Sequence, residues 1–114
     1  MPKKNPLNLN PLQLKTLTLL QALAKLEGHS RPATDPGHIA VFNLPAPHGD
    51  HFHLGPDAIV LSRDATGLSN GAAWAALERK GLIRSAFPLA AVLTPAGLAY
   101  DTGLGERIIH RAGH

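Results

Sequence analysis

Residues 70–97, NGAAWAALERKGLIRSAFPLAAVLTPAG, constrain the fold of this chain more than any other stretch. They predict a short helix that ends at Gly81, because glycine tolerates the positive φ with which a chain leaves a helix. A compact hairpin is expected next, and Thr94 is expected to cap the following helix with its hydroxyl group. Pro95 then takes the first helical position, where its missing amide proton costs no hydrogen bond. The stretch therefore predicts a helix, a hairpin and a capped helix in that order.

This order resembles the back half of the winged helix-turn-helix domain of MarR-type transcriptional regulators. In that family a Leu-Glu-x-Lys-Gly-Leu-Ile helix end precedes the wing, and a Leu-Thr-x-x-Gly sequence follows it. Both pieces occur here, at residues 77–83 and 93–97. The resemblance covers residues 63–100 and, loosely, the first helix. It implies a small α+β winged-helix domain that binds double-stranded DNA as a transcriptional regulator.

The composition predicts a single globular domain with a modest core. The chain has 114 residues, of which 44% are hydrophobic, and chains this short seldom divide into two domains. One Trp, one Tyr and three Phe leave most of the burial to aliphatic side chains. The absence of cysteine removes disulfides, thiolate metal sites and cysteine nucleophiles. The formal charge of +3 is compatible with a polyanionic partner such as DNA.

The N-terminal residues give no sign of export or of membrane insertion. No apolar run approaches the roughly 20 residues that a membrane helix needs, and residues 1–10 lack the hydrophobic segment of a signal peptide. A cytoplasmic protein without a membrane partner is therefore expected. Residues 1–10 are rich in proline and asparagine and predict a flexible arm, with residues 11–114 as the winged-helix domain.

Residues 11–27 predict the first helix, with Asn10 as its N-cap and Pro11 in its first turn. A narrow stripe of this helix is expected to face the core; its members are Leu12, Leu19, Leu23 and Leu26, with Thr16 and Leu20 at its edge. Leu14 and Leu17 project from the other side. They are either ordinary exposed leucines or part of a dimer seam. Because MarR-like proteins usually pair through terminal helices, a symmetric homodimer is expected.

Residues 38–54 predict a β-hairpin inserted into the domain. Strand-forming residues at 39–43 precede turn chemistry at 44–50, and residues 51–54 then alternate histidine with apolar side chains. Residues 55–61 are open between the start of a helix and a third strand.

The segments on either side of the central stretch are expected to be helical. Residues 62–69 resemble the end of a short second helix and its turn, with Ser69 or Asn70 capping the recognition helix. Residues 95–102 predict a helix closed by Gly103, and residues 105–111 one or two further turns.

The DNA-contacting residues follow from the helix-turn-helix interpretation, since a recognition helix reads bases near its N-terminus and basic side chains hold phosphates. The candidates are Arg63, Ser69, Asn70, Trp74, Arg79, Lys80 and Arg84. The recognition helix is rich in alanine, and the wing carries one basic residue, Arg84, among apolar ones. A winged helix that acts as a protein-interaction or dimerisation module, with the histidine hairpin as an interaction surface, is therefore kept as the alternative.

The segment His48-Gly49-Asp50-His51-Phe52-His53 is the candidate metal site, because imidazoles and a carboxylate suit zinc. A strand gives only His51 and His53 the same direction, and two ligands make a weak site. The prediction is therefore no metal and no cofactor, with His48, Asp50, His51 and His53 as weak candidates.

Enzyme chemistry has little support in the sequence. Ser62, Asp64 and His53 provide the residue types of a triad, but no nucleophile elbow, phosphate loop or paired carboxylates accompany them. The chain is therefore not expected to be an enzyme.

Overall fold

Short helices and two small antiparallel sheets make up this protein, whose computed structural model describes residues 5–45 and 49–111. The helices are α1 (Pro11–Leu23), α2 (Gly71–Arg79), α3 (Pro95–Ala99) and α4 (Gly105–Ile108). The strands are β1 (Ser30–Pro32), β2 (Ile39–Phe42), β3 (His51–His53), β4 (Ala58–Leu61), β5 (Ile83–Ala86), β6 (Ala90–Leu93) and β7 (Ile109–Arg111). Two 3₁₀ turns, Ser62–Asp64 and Thr66–Ser69, stand where a second helix was expected. The α+β class is confirmed.

Local side chains set the helix ends that the sequence predicts. At the start of α1, the side chain of Asn10 accepts from the amide of Gln13 at 2.8 Å, and the side chain of Gln13 accepts from the amide of Asn10 at 3.0 Å. Gly81 leaves α2 with a φ of 79°. Thr94 Oγ1 accepts from the amide of Gly97 at 3.0 Å and donates to the carbonyl oxygen of Gly81 at 2.7 Å. All three predicted boundaries are confirmed.

The larger sheet has the strand order β1-β2-β6-β5, and each neighbouring pair is antiparallel. Strands β5 and β6 form the hairpin that the sequence predicts after α2. Strand β2 adds to this hairpin as a third strand, with Val41 opposite Ala91, and both side chains are completely buried. Because α1 packs against β6, the hairpin is tied to the body of the domain.

The hairpin predicted over residues 38–54 is wrong, because its two strands belong to different sheets. Strand β2 pairs with β1 and β6, whereas β3 pairs with β4. Alternation of side chains identifies a strand but not its partner, which depends on the hydrophobic faces that meet in the folded chain.

The smaller sheet has the order β3-β4-β7. Residues 58–61, which the sequence leaves open between helix and strand, form its central strand. Val60 has no exposed surface and lies between Phe52 and Ile109 of the flanking strands. The expected C-terminal helix therefore stops at Ile108, since strand pairing with β4 buries Ile109 and satisfies its backbone.

Helix α1 is buried around most of its circumference, because it packs against α2, α3, α4 and β6 at once. Residues 16–20 are all buried. Leu17 has no exposed surface, and Leu14 is half-buried against the core. The expectation that these two leucines project away from the core is therefore wrong for Leu17. The prediction from hydrophobic periodicity assumes that one side of a helix faces solvent, but neighbouring elements cover α1 on most sides.

Helices α1 and α3 end earlier than predicted, at Leu23 and Ala99. Gln21 Nε2 donates to the carbonyl oxygens of Gly97 at 2.8 Å and Tyr100 at 2.7 Å. These bonds satisfy carbonyl groups at the end of α3, so the chain can turn away without leaving them unpaired. No helix in the described ranges is long and apolar enough to cross a membrane.

The N-terminal segment packs on the domain from residue 5 onward. The side chain of Asn5 accepts from the amide of Leu9 at 2.8 Å and from the hydroxyl group of Tyr100 at 2.6 Å. Leu9 itself is buried. The expected flexible arm is therefore corrected for residues 5–10, while residues 1–4 lie outside the described part of the chain.

Candidate nucleic-acid interface

Helix α2 has a buried face and an exposed face, and the exposed face is the candidate interface. The buried face packs against α1 and β5 and consists of Ala73, Trp74, Ala76 and Leu77. The exposed positions are Ala72, Ala75, Glu78 and Arg79. The outer face therefore offers two methyl groups, a carboxylate and a guanidinium group.

The start of α2 is capped by Asn70 rather than by Ser69. Asn70 Oδ1 accepts from the amides of Ala72 at 3.0 Å and Ala73 at 3.2 Å. The cap takes the oxygen of the Asn70 side chain, so its amide nitrogen is the group left to contact a ligand. Ser69 is exposed, and its hydroxyl group donates to the carbonyl oxygen of Thr66 at 3.2 Å.

Trp74 is not at the surface, and its selection as a DNA-contacting residue is wrong. Its side chain has no exposed area, and Nε1 donates to the carbonyl oxygen of Gly67 at 3.0 Å. The residue faces inward because the 3₁₀ turn before α2 offers the indole group both an acceptor and a buried site. Its role is therefore to hold α2 in place.

The four candidate cations differ in their partners. Arg63 and Arg79 are exposed and make no side-chain hydrogen bond or ion pair with the rest of the described chain. Lys80 donates to the carbonyl oxygen of Leu7 at 2.9 Å. Arg84 lies 2.9 Å from Asp35, but both side chains are well exposed, so water weakens this pair. Arg63 and Arg79 are therefore the cations most available to phosphates.

The tip of the β5–β6 hairpin is apolar and lies beside the start of α2. The rings of Trp74 and Phe87 meet edge to face with centroids 5.1 Å apart. A β-carbon on Gly71 would come within 3.2 Å of the Phe87 ring. Leu89 is 77% exposed and Phe87 39% exposed. These two residues were not among the sequence candidates, although the apolar composition of the hairpin was the signal for them.

The histidines of β3 share one face, as the alternation predicts. The rings of His51 and His53 meet edge to face with centroids 5.1 Å apart, and His51 Nδ1 lies 3.3 Å from a carboxylate oxygen of Asp50. His48 lies outside the described residues. Over residues 5–45 and 49–111, no three His, Cys, Asp or Glu side chains are grouped so that they could hold a metal ion. The absence of a metal stays a prediction.

The side chains considered for a triad have other partners. Ser62 donates to the carbonyl oxygen of Gly49 at 3.2 Å, and Asp64 pairs with Lys15 at 2.9 Å. Both contacts hold the first 3₁₀ turn against its neighbours, so they have a structural role.

The homodimer stays a prediction, but Leu14 and Leu17 do not provide the interface that was expected for it. Since Leu17 is buried inside one chain, it is not available to a second copy. Leu14 alone is too small a patch for a stable seam.

Comparison with protein-family models, with curated proteins and with solved structures found no match to this chain. The functional assignment therefore depends on the geometry described above.

Proposed function

We propose that the chain is a winged-helix protein that binds double-stranded DNA in the cytoplasm and regulates transcription. Helix α2 is the recognition helix, and the β5–β6 hairpin is the wing. The observation that carries the proposal is the placement of α2, which buries one face against α1 and β5 and exposes the other beside the hairpin. A helix presented in this way can enter a major groove.

The order of elements supports the proposal. The 3₁₀ turn Thr66–Ser69 leads directly into α2, packs against α1 and holds the indole group of Trp74. The hairpin follows α2 and is anchored through β2 to the rest of the larger sheet. The 3₁₀ turn, α2 and the hairpin thus follow one another and all pack against α1, and a fixed placement of contact groups favours binding.

The chemistry of the outer face predicts how the protein binds DNA. Ala72 and Ala75 offer methyl groups, which can contact thymine methyls but read few bases. Arg63 and Arg79 are exposed cations that hold phosphates in this proposal, with Ser69 and the amide group of Asn70 as polar additions. Most of the affinity therefore comes from phosphates, and the binding is strongly salt-dependent with modest sequence preference.

The experiment is a fluorescence anisotropy titration of a labelled mixed-sequence duplex at several salt concentrations. Arg79→Ala combined with Lys80→Ala should weaken binding and flatten the plot of log affinity against log salt by about one unit per lost phosphate contact. Arg63→Ala should flatten it further. An unchanged slope removes these residues from the interface.

Arg31→Ala is the matched control for the salt experiment. Arg31 is an exposed cation on β1, at the edge of the larger sheet opposite β5. Its loss lowers the net charge by one unit, as Arg63→Ala does, but leaves the proposed interface intact. An equal effect from Arg31→Ala would mean that the DNA responds to net charge alone.

A homodimer belongs to this proposal, because paired recognition helices contact paired half-sites on DNA. Light scattering at micromolar concentration should report twice the chain mass. A monomer under those conditions, and with DNA present, would restrict the proposal to single-site binding.

A second function is favoured by the exposed apolar tip of the hairpin. Phe87 and Leu89 place apolar surface where a DNA-binding wing has cations, and Ala72 and Ala75 add exposed methyl groups on α2. Such a surface suits a protein partner. If the parent protein fails to bind duplex DNA at low salt, this second function is preferred.

A further inference from the structure

A groove with a volume of about 900 Å³ lies between α1, the α3–α4 connection and β7. This volume is within the range of pockets that hold small molecules. The groove is lined mainly by residues that no candidate site above uses. It is therefore a separate feature of the fold.

The floor of the groove is apolar. Its apolar lining consists of Ala22, Leu26, Leu54 and Ile109. Leu54 and Ile109 are otherwise buried, at 5% and 7% exposure, and belong to the same core as α1. The floor can therefore cover the apolar body of a bound molecule and remove it from water.

The polar part of the wall is fixed by internal hydrogen bonds. Thr18 Oγ1 and Thr102 Oγ1 are 2.6 Å apart, and Thr18 also donates to the carbonyl oxygen of Leu14 at 2.7 Å. The side-chain amide of Gln21 donates hydrogen bonds to the carbonyl oxygens of Gly97 and Tyr100. Because these bonds join α1 to the α3–α4 connection, the two walls keep their spacing without a ligand.

The rim of the groove is cationic. Lys25, Arg107 and Arg111 line it, are exposed, and make no ion pair or side-chain hydrogen bond with the described residues. Among the lining side chains that the structure describes, Asp101 is the one carboxylate, and it accepts from the amide of Gly103 at 3.0 Å. The described side chains at the rim are thus three cations and one carboxylate.

We infer that this groove binds an organic anion, a molecule that carries a carboxylate, sulfonate or phosphate group on an apolar body. The apolar floor takes the body, and the guanidinium groups of Arg107 and Arg111 hold the acid group through charge-assisted hydrogen bonds. A neutral molecule of the same shape contacts only the apolar floor and should therefore bind more weakly. This inference stands whether or not the chain binds DNA, because none of its residues belongs to the α2 interface.

The test uses two fluorescent probes with the same body, anilinonaphthalene sulfonate and its neutral parent, N-phenylnaphthylamine. The full chain should bind the sulfonate more tightly. Arg107→Gln combined with Arg111→Gln should weaken sulfonate binding by about tenfold or more and leave the neutral probe almost unchanged. Asp101→Asn keeps the oxygen that accepts from Gly103 and should strengthen sulfonate binding.

Two control variants separate the groove from the rest of the surface. Arg31→Gln combined with Arg63→Gln removes the same charge from exposed positions outside the groove and should leave the probe affinity unchanged. Leu89→Ser removes the most exposed apolar side chain of the hairpin tip and should have no effect. A circular-dichroism melt checks that each variant is folded, and Arg111→Gln alone replaces the double variant if that one is not.

Four outcomes would overturn the inference. These are the absence of sulfonate binding by the parent protein, equal affinity for both probes, an unchanged affinity in the groove variants, and an equal loss in either control variant. The last outcome would assign the probe to general surface charge or to the hairpin tip.

Discussion

The indole nitrogen of Trp74 donates a hydrogen bond to the carbonyl oxygen of Gly67 over 3.0 Å, inside the protein. Gly67 lies so close to α1 that a β-carbon there would overlap the hydroxyl group of Thr16. One buried contact therefore joins α2 to the turn before it, and the missing side chain of Gly67 lets that turn sit on α1. The orientation of the candidate recognition helix depends on both.

Replacement of Trp74 by phenylalanine tests this contact between α2 and the preceding turn. The change leaves part of the indole site empty and the Gly67 carbonyl group without its donor, so the free energy of unfolding should fall by about 2–4 kcal/mol. Urea denaturation followed by circular dichroism measures the loss. Phe87→Leu is the control, since it alters only the exposed ring beside Trp74 and should cost less than about 1 kcal/mol. A Trp74→Phe protein as stable as the parent would show that the hydrogen bond does not fix the helix.

Gly97 provides a test of close packing between α3 and the larger sheet. Its β-carbon would overlap the backbone carbonyl oxygen of Leu82, which cannot turn aside as a flexible side chain can. Gly97→Ala should therefore lower the free energy of unfolding by about 3 kcal/mol. Gly105→Ala is the matched control, because it also lies in a short helix but has open space around it. That variant should be neutral or more stable by up to about 1 kcal/mol. Equal effects in the two variants would contradict the overlap.

Phe52 anchors the smaller sheet and has the main structural role in the histidine-rich strand. Its side chain is 8% exposed and belongs to the core, whereas the neighbouring His53 is exposed. Phe52→Ala should cost about 3 kcal/mol or more, since it empties a core site. His53→Ala should change thermal stability little. If the two variants have the same melting temperature, Phe52 does not have the main structural role in β3.

Two ion pairs of equal length but different burial should differ in strength. Lys15 and Asp64 are 2.9 Å apart with side chains 32% and 12% exposed, and Arg84 and Asp35 are 2.9 Å apart with 62% and 46% exposed. Double-mutant cycles should give a coupling of about 1 kcal/mol for the first pair and below about 0.5 kcal/mol for the second. High salt should reduce the second coupling more. A stronger Arg84–Asp35 coupling would contradict the role of burial.

The candidate interface was only partly predictable from the sequence. Asn70 as a cap and Arg79 as an exposed cation follow from neighbours along the chain. The inward direction of Trp74 does not, because its acceptor is a carbonyl group of the preceding turn. The cationic groove was also missed: Lys25 is more than 80 positions from Arg107 in the chain, and only the fold places both beside one apolar floor.

What the sequence by itself determined is the local structure. Asn10 and Thr94 cap their helices through hydrogen bonds with residues three positions further on, and Gly81 ends α2 through its positive φ. Such signals are short-range and can therefore be read directly.

Only the tertiary structure decided which elements meet. Strand β2 pairs with β6 and not with β3, and β7 completes the smaller sheet from the far end of the chain. Leu17 is buried because other elements surround α1 on the side that its periodicity assigned to solvent. These outcomes depend on the simultaneous burial of several hydrophobic faces, and the side-chain pattern of one segment does not specify which distant segment will cover it.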